Sequence, residues 1–106
     1  MYGSCSEADI AWAISKQRPQ PLGPFGTPVS IPAGALDGIG RYYVLCAKDR
    51  AIPVALQRRM ITENSITNVL ELDTDHTPHL SMTAALSDAL QKFAREFSER
   101  PLLASE

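Results

Sequence analysis

Long apolar runs, a basic surplus and paired cysteine motifs are all missing from this 106-residue chain, and each absence closes off a class of function. No apolar stretch approaches the roughly 20 residues that a membrane helix needs, so no membrane partner is expected. Lysine and arginine number 10 against 12 aspartates and glutamates, a formal net charge of -2. Such a surface offers nothing to a phosphate backbone, and no nucleic-acid partner is expected. Residues Met1 to Glu7 lack the basic-then-apolar plan of a signal peptide. The two cysteines, Cys5 and Cys46, have no CxxC spacing, which makes reduced thiols in a cytoplasmic protein the plain expectation. Either thiol could in principle be a nucleophile, but Cys46 ends an apolar run and fits a small buried residue better. What is present is an ordinary share of apolar residues, 44%, enough for one small domain at most.

The chain divides into an irregular front, residues 1–40, and a regular back, residues 41–106. In the front, Ser6 with Asp9 three positions on has the spacing of a capping box. Ala8, Ala11, Trp12 and Ile14 follow at mostly helical spacing, which predicts a helix to Lys16. From Arg18 to Gly40 the chain carries Pro19, Pro21, Pro24, Pro28 and Pro32 among five glycines. Proline removes donors and glycine raises the entropy cost of order, so a long loop without regular structure is expected. In the back, Tyr42 to Cys46 is a continuous β-prone run suited to a buried parallel strand. Pro53 is placed to start a helix running to about Asn64, with Val54, Leu56, Met60 and Ile61 as its buried stripe. Asn68 to Leu72 fits a second strand, and Asp73 to His79 a polar loop. A last helix begins near Ser81 or Thr83 and ends before Pro101, with Leu86, Leu90, Phe93 and Phe97 on one face. The fold class is α/β, with a β-α-β-α unit at the back.

Ligands of open parallel sheets gather beyond the carboxyl ends of the strands. Asp49 follows the first strand there and His76 the second. Neighbouring strands lie about 4.8 Å apart, so the two side chains can meet. A carboxylate so placed would accept the Nδ1 proton of the imidazole, fix its tautomer and stabilise the imidazolium during proton transfer. Taken singly, Asp49 is an ordinary turn residue and His76 an ordinary loop histidine. Only their paired placement singles them out. A rival constellation shares the loop: Asp73, Asp75, His76 and His79 could be taken for metal ligands. Zinc, however, wants three or four ligands of fixed geometry, and this loop holds no helical face to present them. No metal and no cofactor is expected.

At these residues the chain resembles a known family. Tyr42-Tyr43-Val44-Leu45-Cys46-Ala47-Lys48-Asp49-Arg50-Ala51-Ile52-Pro53 is similar to the acid-bearing strand and turn of the plant methylesterase and hydroxynitrile lyase branch of the α/β-hydrolases, with its bacterial relatives. Gln57, Arg58 and Met60 fit the helix that follows. Leu72-Asp73-Thr74-Asp75-His76-Thr77-Pro78-His79-Leu80-Ser81 resembles the family's histidine loop. Tyr2 to Cys5 and Ala11 to Ala13 look like the closing part of its cap, which makes residues 1–40 a remnant cap helix and loop. By this resemblance Asp49 is the acid of a serine triad and His76 its general base. The lyase members carry a lysine directly after the histidine. Thr77 stands there instead, which favours ester hydrolysis and a small-molecule ester substrate. Ile52 and His79 would flank the site.

The family pattern also demands a Gly-x-Ser-x-Gly elbow and an oxyanion loop, and neither occurs in these residues. The resemblance therefore implies the C-terminal portion of a carboxylic-ester hydrolase. Losing the serine of a triad costs on the order of a million-fold in turnover, so the portion would be inactive alone. Its first strand would expose an apolar edge, favouring marginal stability and self-association. The alternative is a short non-enzymatic α/β module that binds through that edge.

Overall fold

A computed structural model of the chain describes residues 1–99. Helix α1 spans Glu7–Lys16, and Ser6 caps it: its Oγ accepts the Asp9 amide at 3.2 Å from an extended backbone. Glu7 and Asp9 at the first turn and Lys16 at the last complement the helix dipole. The helix buries only Ala13, and the predicted apolar stripe does not form, since Trp12 and Ile14 are more than half exposed.

Residues 17–41 run exposed almost throughout. They are not wholly irregular, as predicted, because Pro24 sits in the first turn of a one-turn helix α2, Gly23–Gly26. Gly34 and Gly38 take φ of +80° and +76°, a region open to glycine at no steric cost. Gly40 ends the loop where a helix passes closely: a Cβ there would lie 2.7 Å from Phe97 Cε2.

The back half builds the predicted elements. Strand β1 spans Tyr42–Cys46 and β2 spans Asn68–Leu72. They pair in parallel, with Tyr42 opposite Asn68 and Cys46 opposite Leu72. Between them runs helix α3, Val54–Glu63, with Pro53 at its N-cap and Asn64 at its C-cap. Its end is a Schellman motif: the Ile66 amide reaches Ile61 O at 3.0 Å, and Ser65 reaches Thr62 O at 3.1 Å. Ser65 fills the left-handed position with φ of +52°.

Thr77 leads into a short helix α4, Pro78–Ser81, which takes Pro78 and His79 out of the loop expected for them. Helix α5 then spans Thr83–Ser98, and Pro101, expected to lie just beyond its end, falls outside the described residues. Of its predicted face, Phe93 is buried and Leu86 half-buried, while Leu90 and Phe97 stay largely exposed.

Successive side chains on a strand point to opposite faces of the sheet. Tyr42 stacks against Phe93 of α5, ring centroids 4.7 Å apart. The Tyr43 hydroxyl instead meets Gln57 of α3. The two helices thus cover opposite faces of a mixed α/β unit. Among the described residues the buried apolar set is small: Ala13, Leu45, Cys46, Ala89 and Phe93. A polar set of equal size is buried beside it, Asp49, Gln57, Thr74, Asp75 and Thr77. That set lies just past the strand ends and on α3, so the interior is most polar where the chemistry would be.

Candidate active site

The chain leaves β1 and β2 side by side, and the pairing continues past both strands. The Ala47 amide donates to Leu72 O at 2.9 Å and Lys48 to Thr74 O at 2.8 Å. These bonds hold the turn after β1 against the loop after β2.

Asp49 sits in that turn with its side chain 4% exposed. Its Oδ1 accepts the amides of Ala51 at 2.8 Å and Ile52 at 2.9 Å, an Asx-type turn that aims the second oxygen across to the neighbouring loop. Oδ2 lies 2.7 Å from His76 Nδ1. Burial raises the proton affinity of the Asp49 carboxyl. The hydrogen bonds from His76, Ile52 and Ala51 outweigh it and hold the group below its ordinary value. The carboxylate is therefore ionised and can only accept, which puts the imidazole proton on Nδ1. His76 keeps a third of its side chain exposed. Its Nε2 makes no hydrogen bond to any described residue.

The rest of the histidine loop is held by Asp75, whose central part the sequence reading missed. Asp75 is 2% exposed. Its Oδ1 accepts the Thr77 amide at 2.8 Å and the Thr77 hydroxyl at 2.9 Å, with Ser81 Oγ at 3.3 Å. Its Oδ2 accepts the Ser4 amide at 2.8 Å, with Cys5 Sγ at 3.6 Å. Burial raises this carboxyl too, and the bonds from Ser4, Thr77 and Cys5 bring it below its ordinary value. Thr74 and Ser81 close the network by bonding each other through their hydroxyls. An Asp followed two positions on by a hydroxyl residue is a turn signal that could have pointed to this role.

Gln57 is the second residue whose role the sequence hid. It is 1% exposed, inside the stripe where an apolar residue was expected, while Leu56 lies outside at 45%. The signal was available: Gln57 follows Val54 by three and precedes Ile61 by four, on the buried face of α3.

The other candidates do not converge. Asp73 pairs with Lys48 at the surface, 3.3 Å away. Asp75 is turned to Ser4 and Thr77, and His76 to Asp49. His79 is exposed and lines a cleft of about 230 Å³ between α1 and α4, with Tyr2, Trp12 and Lys16. Among the described residues no three acidic, histidine or cysteine side chains come together as a metal site. Ile52 does reach the site, through its amide on Asp49. Cys46 is buried, and burial together with the charges of Asp49 and Asp75 pushes its thiol up, away from a thiolate. No serine hydroxyl of the described residues bonds His76.

Known proteins are similar to this chain in sequence. A protein named as a chloroplastic methylesterase, number 14 in Arabidopsis thaliana, is 35% identical over 95 residues, covering 89% of this chain and 27% of its own length. Methylesterase 9 of the same plant is 36% identical over 64% of this chain and 27% of its own length. The pyrethroid hydrolase of Sphingobium wenxiniae is 39% identical over 67% of this chain and 25% of its own length. The chain thus spans about a quarter of the length of these relatives. No protein-family profile matches it. The matches bear out the resemblance drawn from the Asp49 turn and the His76 loop.

Proposed function

We propose, from the chain's kinship with the methylesterase-like α/β-hydrolases, that Asp49 and His76 are the acid and the general base of a serine triad that hydrolyses small carboxylic esters. The observation that carries this reading is the 2.7 Å bond between Asp49 Oδ2 and His76 Nδ1, on a histidine whose side chain stays one-third exposed. The relatives named as methylesterases and as a pyrethroid hydrolase support an ester as the substrate class.

In this reading a serine hydroxyl placed at Nε2 passes its proton to His76 as it attacks the ester carbonyl. Asp49, ionised and held by the Ala51 and Ile52 amides, stabilises the imidazolium that forms. His76 then gives the proton to the departing alcohol, leaving an acyl-serine. Water attacks that ester in turn, Nε2 taking its proton and returning it to the serine oxygen as the acyl–serine bond breaks and the carboxylic acid leaves. These 106 residues contain no Gly-x-Ser-x-Gly, so the serine and the oxyanion donors come from outside them. The chain by itself does not turn over esters. Thr77, following the histidine, supports hydrolysis over cyanohydrin cleavage. The two free thiols, Cys5 and Cys46, support a reducing, cytoplasmic setting.

The test is a graft. This chain replaces the matching segment of Methylesterase 9, and hydrolysis of p-nitrophenyl acetate is followed alongside circular dichroism. The reading predicts a folded, active graft that loses activity on His76→Ala, and no turnover by the chain alone. A folded graft that hydrolyses the ester equally well with His76→Ala would sink it.

A further inference from the structure

The Asp49 turn has an internal brace that neither the triad chemistry nor the strand pairing accounts for. Gln57 projects from the second turn of α3 into the space between the end of β1 and the Asp49 turn, and there its amide makes four bonds. Oε1 accepts the Cys46 amide at 3.0 Å and the Tyr43 hydroxyl at 3.4 Å. Nε2 donates to Cys46 O at 3.0 Å and to Ile52 O at 2.8 Å. A primary amide offers two donors and two acceptor sites, and all four are used. The orientation is not interchangeable. Flipping the amide would set its NH2 against the Cys46 amide and its oxygen against two carbonyls.

These contacts do two jobs at once. By taking both the N–H and the C=O of Cys46, Gln57 acts as the strand partner that the last residue of β1 has on that side. By also taking Ile52 O, it ties the far end of the turn back to its start, and Asp49 lies between the two anchors. The Ile52 amide is one of the two that grip Asp49 Oδ1. Gln57 therefore anchors through its carbonyl the residue, Ile52, whose amide holds the carboxylate, and the carboxylate in turn holds the imidazole.

We infer that Gln57 is a positioning residue for the Asp49–His76 pair: it locks the Cys46–Ile52 turn so that Oδ2 stays in line with Nδ1. The inference rests on the triad reading of that pair. An apolar side chain of the same length would leave the Cys46 amide, two carbonyls and a tyrosine hydroxyl without this partner inside the protein. The turn would open, and Asp49 would sample orientations that no longer meet His76.

The test uses the whole chain and nuclear magnetic resonance of His76, which reads the pair directly and needs no turnover. Wild type should show a downfield Nδ1 proton that exchanges slowly with solvent. In Gln57→Glu, which keeps the acceptor and loses both donated bonds, and in Gln57→Met, that proton should exchange at least about ten-fold faster. Phe93→Leu, a core change on α5, should weaken the fold without moving the signal. If folded Gln57 variants keep the proton with wild-type exchange, the inference is overturned and the triad reading stands. If wild type itself lacks the Nδ1 proton, both fall together. Should neither Gln57 variant fold, exchange in wild type decides. The Gln57 side-chain amide and the His76 Nδ1 proton must then open together, and independent rates overturn the inference.

Discussion

Asp49 and Asp75 are built alike, one after each strand. Each lends Oδ1 to the amide two residues on in its own loop, at 2.8 Å in both cases, and turns Oδ2 to a distant partner. For Asp49 that partner is His76 Nδ1 at 2.7 Å, and for Asp75 it is the Ser4 amide at 2.8 Å. One carboxylate aims the imidazole. The other ties residues 1–5 to the loop that carries it.

This shared design sets the acid limit of the fold. Both carboxyls sit below their ordinary value of 3.8, so each stabilises the folded state fully above that pH. That stability is lost as pH falls from 3.8 through the lower folded values. Thermal melts should hold steady from pH 7 to about 5 and drop steeply below about 4. Asp49→Asn and Asp75→Asn should each flatten the drop, and an unchanged slope in both would contradict the account.

Removing Asp75 leaves the Ser4 and Thr77 amides without their acceptor and takes one partner from each of the Thr77 and Ser81 hydroxyls. Asp75→Ala should cost about 2–4 kcal/mol, with Asp75→Asn costing less because one acceptor oxygen remains. Hydrogen exchange would show where the loss falls: the Ser4 and Thr77 amides should lose protection ahead of the β1–β2 amides.

Ser65 occupies a left-handed position, at φ of +52°, that glycine takes without penalty. Ser65→Gly should raise stability by up to about 1 kcal/mol, net of glycine's looser unfolded state. Urea titration measures it, and a loss of similar size would mean that the serine side chain holds something the backbone geometry does not reveal.

Leu22, Phe25 and Val29 are each more than 70% exposed, and the sheet has only two strands among the described residues. Open strand edges beside uncovered apolar side chains favour association. Sedimentation of the chain should show concentration-dependent self-association, and a monomer with one cooperative transition at every concentration would argue against it.

The sequence made the β-α-β-α order legible because β1 is a five-residue apolar run, β2 a short stretch rich in Val and Leu, and Pro53 punctuates the start of α3. The placement of Asp49 and His76 followed from the same topology, since strand ends fix where loops emerge. What stayed hidden was polar and tertiary. Gln57 sits on a buried helical face that apolar counting fills with Leu56, because hydropathy cannot see backbone groups waiting inside for a partner. Asp75 resembled a loop ligand because its partner Ser4 lies 71 positions away. The stripes of α1 and α5 were overdrawn for a related reason. Periodicity tells which side of a helix is apolar, but not whether anything covers it.

The most direct measurement of the central claim is the tautomer of His76, read from its ring ¹⁵N shifts at neutral pH in wild type and in Asp49→Asn. A general base aimed by Asp49 carries its proton on Nδ1 and leaves Nε2 bare, and the Asn variant loses that preference. A proton on Nε2 in wild type, or a tautomer unmoved by Asp49→Asn, would contradict the assignment of this pair as the acid and base of a triad.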